Sequence, residues 1–151
     1  MTADHRPRRR GFTILELMIV VTIMGVLIAV PAPMFGRAME QPKLDVAASN
    51  VRSIWAAERF YYLEKGRYGT LSDLAADTLA SDLVDPTILS GAAFYSYTVV
   101  PSTDGQSFVA TAAHPTSTIC SGTVTIDQTG NLAWNVAYAG QVMTPSLEPR
   151  P

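Results

Sequence analysis

Residues 12–35 form an almost unbroken apolar run, FTILELMIVVTIMGVLIAVPAPMF, and beyond Pro42 the hydrophobic pattern changes twice. The first change is to helical spacing. Leu44, Ala47, Ala48, Val51, Ile54 and Trp55 recur three and four residues apart, while Lys43, Asp45, Arg52 and Glu58 fill the other positions. This predicts an amphipathic helix over 43–65, stopped at Gly66. The second change, from Phe94 onward, is to alternation. Tyr95, Tyr97 and Val99, then Phe108, Ala110 and Ala112, then Val124 with Ile126, and Leu132 with Trp134 alternate with polar or small residues. The pattern predicts about four antiparallel strands, with turns at Asp104-Gly105 and Gln128-Thr129-Gly130. Between helix and strands, residues 67–93 carry a short helical signal at 72–79 and turn residues at Asp82, Asp85-Pro86 and Ser90-Gly91. Strands with one apolar face need a cover, and the amphipathic helix provides it. The expected fold class is therefore α+β, with a long N-terminal helix, one half membrane-spanning and one half amphipathic, packed on an antiparallel sheet of about four strands.

Charge changes the reading of the first segment. Glu16 is the only charged residue between Gly11 and Arg37. A carboxylate near the bilayer centre costs roughly 2.5–3.5 kcal/mol on insertion scales, and less near an interface, so Glu16 is a functional candidate. The 20 residues 17–36 carry no formal charge, about the number a helix needs to cross a bilayer. Arg6, Arg8, Arg9 and Arg10 precede the run, and acidic residues outnumber basic ones after it, the asymmetry of a cytoplasmic N-terminus and an exported remainder. Pro31 and Pro33 remove amide donors and predict a kink or locally opened stretch in the outer part of the span. Gly25 and Ala29 offer a small strip for close helix packing.

Three targeting readings compete for this segment: a cleaved secretory signal, a twin-arginine signal at Arg9-Arg10, and a leader whose apolar part stays in the mature protein. The run exceeds the roughly 7–15 residues of a secretory signal and contains a carboxylate, which favours the third. Gly11-Phe12-Thr13-Ile14-Leu15-Glu16, preceded by arginines and followed by an apolar helix with Pro33, resembles the leader of type IV prepilins and type II secretion pseudopilins. The resemblance implies cleavage between Gly11 and Phe12 by a prepilin peptidase, N-methylation of Phe12, and a role for Glu16 in assembly, where it meets the amino terminus of a neighbouring subunit. It implies as partners the prepilin peptidase, copies of the chain or related pilins in a filament, and an inner-membrane assembly platform. Before assembly the subunit is expected to be single-pass in the inner membrane with its head in the periplasm, and afterwards part of a periplasmic or extracellular filament. The expected organisation is a leader over 1–11, a transmembrane and filament-core helix over 12–35, a pilin-like head over 36–135 and a flexible tail over 136–151. GRYGTLSDL and TIDQTGNL fit the general layout of such heads, whereas the cysteine pair of many pilins is absent.

The remaining chemistry excludes more than it suggests. Cys120 is the only cysteine, so no intrachain disulfide forms. Past the leader only His114 and Cys120 remain of their kinds, separated by a loop with no motif for a nucleophile and its base, so no catalytic residue, cofactor or metal site is assigned and the chain is not expected to be an enzyme. Asp73, Asp77, Asp82 and Asp85 match no calcium-loop spacing. The scattered basic residues after the run give no nucleic-acid footprint. Phe60, Tyr61, Tyr62 and Tyr68 are read as core and helix-exit packing. The expected function is a structural subunit of a type IV pilus-like filament. The alternatives are a pseudopilin of a type II secretion system and, in another class, a membrane-tethered periplasmic binding domain.

Overall fold

The computed structural model describes residues 11–29, 32–117 and 119–146. It divides into two compact units, Met1–Gly36 and Arg37–Pro151. In the first, α1 spans Ile14–Ala29, and α2, Ala32–Lys65, begins there. Pro33 occupies the first turn of α2, where a missing amide hydrogen costs no intrahelical bond. Pro31, the other predicted kink residue, lies outside the described residues. The helix that contains 43–65 thus starts earlier than the apolar spacing indicated and runs through Pro42.

The second unit is an α+β head. β1 (Ser96–Pro101), β2 (Phe108–Ala113), β4 (Thr123–Asp127) and β5 (Leu132–Trp134) form an antiparallel four-stranded sheet in the order β1-β2-β4-β5. The register aligns Val99, Ala110, Ile126 and Leu132 across all four strands, and Tyr97, Ala112, Val124 and Trp134 in the next row. These are the apolar alternants of the sequence, and they share one face. Leu44, Ala47, Ala48, Val51, Ile54, Ala57 and Tyr61 of α2 join the same core. Trp55 Nε1–H donates to Gln128 O at 3.2 Å and Asn50 Nδ2–H to Tyr97 Oη at 2.9 Å, tying the helix to both sides of the sheet. Gly66 closes α2 with φ 71° and donates to Tyr62 O at 2.8 Å. Tyr68 then packs between Tyr62 and Phe108, with ring centroids 4.6 and 4.8 Å away.

The connector folds into three short helices, α3 (Leu71–Ala76), α4 (Thr78–Ser81) and α5 (Pro86–Leu89). Its aspartates are caps. Thr70 and Asp73 form a reciprocal capping box, Asp77 caps α4, and Asp85 caps α5 ahead of Pro86.

Residues 136–146 differ from the expected loose tail. β6 (Ala137–Tyr138) and β7 (Gln141–Val142) pair as a hairpin, and β3 (Cys120–Ser121) pairs with β6 to complete a second, three-stranded sheet. Ala139 at φ 49° and Gly140 at φ 78° make the turn with two positive φ angles that suits a two-residue hairpin. Val136 and Met143 are fully buried. Arg37 donates to Gln141 Oε1 at 2.9 Å, Gln41 to Thr144 O at 2.9 Å, and Ser146 N–H to Asp45 Oδ1 at 2.7 Å, so the segment is fastened along α2. Three prolines and weak periodicity conceal this, because the strands have only two residues each.

Candidate functional site

Gly11 and Phe12 precede α1 in non-helical backbone, and Phe12 is exposed. Thr13 opens the helix: its Oγ1 accepts the Glu16 amide at 3.2 Å and its carbonyl accepts the Leu17 amide at 3.2 Å. Glu16 therefore sits in the first turn, beside amides that lack intrahelical acceptors and favour negative charge. Residues 14–28 are all exposed, and Thr22 alone among them carries a hydroxyl, which donates to Met18 O at 2.7 Å. A helix apolar on every side requires a cover other than water. Among the described residues no helix is long and apolar enough to cross a membrane, since α1 has 16 residues, about 24 Å of rise against a core of about 30 Å.

In the head, Glu58 corrects its sequence assignment. Grouped with the polar positions, it is instead completely buried on the core face of α2. Its spacing shows why: it lies four residues after Ile54 and seven after Val51, in line with the apolar stripe. Its Oε2 accepts the Gly69 amide at 3.0 Å, while Oε1 has no hydrogen-bond partner. Burial pushes its pKa up to about 7, opposed by the Gly69 amide and assisted by the Asp73 charge.

The structure also brings together His114 and Cys120, which the sequence separated, and adds Glu40 of α2, which nothing in the sequence connected to them. Burial opposes ionisation of Glu40, but hydrogen bonds from Lys43 and His114 outweigh it and hold the carboxyl below its usual range. Burial, with the Glu40 charge, raises the Cys120 thiol.

Comparison with known proteins concerns the first segment. A family model described as a prokaryotic N-terminal methylation motif matches residues 6–30, the stretch holding Gly11, Phe12 and Glu16. The chain carries a prepilin-type N-terminus. It is similar to the type IV major pilin protein PilA of Myxococcus xanthus, 39% identical over 67 residues, covering 44% of this chain and 30% of that protein. It is also similar to type II secretion system core protein G of Pseudomonas aeruginosa, 36% identical over 64 residues, covering 42% of this chain and 45% of that protein. A fimbrial protein of Pseudomonas aeruginosa is 29% identical over 130 residues, 84% of both chains. The matches thus span less than half the length of the first two relatives, while the third extends the pilin-like similarity through the head. No solved structure matches significantly.

Proposed function

We propose that the chain is a structural subunit of a type IV pilus-like filament, cut between Gly11 and Phe12, N-methylated on Phe12 and assembled through its N-terminal helix. The observation that carries this reading is the methylation motif over residues 6–30, continued by a helix whose apolar side chains are exposed on every side. Before assembly the apolar segment holds the subunit in the inner membrane with the head outside the cytoplasm. In the filament it packs against other subunits, and the head lies at the surface. Prepilin peptidase, an assembly platform and further pilin subunits are the partners. The head acts as a packing module rather than an enzyme, and the stretch around Pro31 and Pro33 lets the helix bend on leaving the bilayer.

N-terminal mass analysis tests this. A mature chain beginning at methylated Phe12, with filaments visible by electron microscopy, is the expected result; an intact leader, or a terminus near Ala32, removes the basis of the proposal. The similarity to core protein G supports a second reading, a subunit of a short periplasmic fibre in type II secretion. Deletion of the gene separates the two: loss of surface filaments marks the pilus, loss of protein export with surface filaments retained marks the secretion system.

A further inference from the structure

We propose that Glu40, His114 and Cys120 form a three-ligand site in the head for one zinc ion, with water in the fourth position. Glu40 lies in α2, His114 immediately follows β2, and Cys120 lies in β3. One ligand atom from each lies within 4.8 Å of the others. The Glu40 Oε2 to His114 Nε2 separation is 3.2 Å. Metal distances of about 2.0–2.1 Å at a tetrahedral angle require roughly 3.3 Å between these donors, so that edge is already formed. Modest closure of the Cys120 side chain completes the ligand face.

The surroundings aim the donors inward. His114 Nδ1 is 2.6 Å from Pro115 O, a carbonyl that only accepts, so Nδ1 carries a hydrogen and Nε2 is the ring nitrogen turned toward the cluster, where a cation would take its lone pair. The rings of Phe94 and Tyr95 meet the imidazole edge-on, both with centroids 5.2 Å away, and restrict its rotation. Lys43 binds Glu40 Oε1 at 2.8 Å and leaves Oε2 for the cluster. The Ser117 hydroxyl accepts the Cys120 amide at 2.8 Å and donates to Cys120 O at 2.7 Å, fixing the backbone that carries the thiol. A Glu40–His114 ion pair by itself accounts for two of these groups but gives the neighbouring buried thiol no part. Imidazole nitrogen, thiolate sulfur and carboxylate oxygen together are a zinc donor set, and a bound cation replaces the thiol proton despite burial. The site pins the segment between β2 and β3 to α2.

Cobalt substitution reads this site directly, because Cys120 is the only thiol in the chain. Full-length protein in detergent, stripped with a chelator and titrated with Co²⁺, should develop thiolate-to-cobalt charge-transfer absorption that saturates at one ion per chain. Zn²⁺ should displace it and raise the unfolding temperature. C120S should abolish the band while keeping the metal-free circular dichroism spectrum, and H114Q and E40Q should weaken binding roughly tenfold or more. If H114Q does not fold, E40Q, at the more exposed position, carries the test. Absence of the band in the unaltered chain overturns the proposal, as does a band of unchanged affinity in E40Q, or an unfolding temperature indifferent to Zn²⁺.

Discussion

Glu58 and Ala139 show how much single residues hold in reserve. Glu58 has a folded pKa of about 7 against an ordinary 4.5. Between those values the folded chain binds more protons than the unfolded one, so its contribution to stability falls as pH rises. The penalty is absent below about pH 4.5, grows through the window and is complete above about 7, reaching about 3 kcal/mol. The capping aspartates act elsewhere: backbone amides of Thr70 and Ala80 and the Thr87 hydroxyl hold Asp73, Asp77 and Asp85 below their usual range, so their support is lost only as pH falls into the acid region. Glu58→Gln keeps an acceptor for the Gly69 amide and removes the charge. Urea denaturation should therefore show the variant more stable than the parent at pH 8, the two converging near pH 5; parallel curves would exclude an ionising Glu58. Ala139 is the described non-glycine residue with positive φ, at 49°. Asparagine tolerates that region better, so Ala139→Asn should raise stability by up to about 1 kcal/mol, read as a higher unfolding temperature.

At the scale of elements, Gly122 decides whether the two sheets of the head can meet. Its φ is 133°, and a Cβ there would lie 2.6 Å from both Asn135 O and Val136 Cα. Its own carbonyl accepts the His114 amide at 2.9 Å. Backbone cannot rotate out of the way, so Gly122→Ala should destabilise the head by about 3 kcal/mol in chemical denaturation, and a loss under about 1 kcal/mol would contradict this close approach. The elements differ in how far the sequence revealed them. The four-stranded sheet and the helix covering it were legible because Val99, Ala110, Ile126 and Leu132 alternate and Leu44 through Ile54 repeat at helical spacing, both periodic signals sustained over many residues. The β6–β7 hairpin was not, because two-residue strands carry no period and Ala-Gly is a weak turn signal beside Asn-Gly. Glu58 was misplaced by residue type although its position fitted the apolar stripe. The meeting of Glu40 with His114 and Cys120 had no local signal, since only sheet topology brings together residues 74 and more positions apart.

On the scale of the whole molecule, the two units follow opposite solvent rules. The head encloses its own core, from Leu44 to Met143. The first unit exposes Ile14, Leu15, Leu17, Met18 and the apolar residues after them, so it is complete only in lipid or against other chains. Glu16 interrupts that surface with one charge, which the unpaired amides of the first turn favour. Under the proposed processing a further partner arises, the amino group of Phe12 on a neighbouring subunit. Glu16→Gln keeps shape and hydrogen-bonding capacity while deleting the charge. Removing one member of a buried pair leaves the other uncompensated, at about 3 kcal/mol or more, which corresponds to roughly 100-fold in association. Leader cleavage and membrane insertion, which under the proposed function precede subunit contact, should continue at the parental level in cell fractions. Incorporation into sheared filaments should fall by that roughly 100-fold factor, and incorporation at the parental level would show that Glu16 makes no charge pair between subunits.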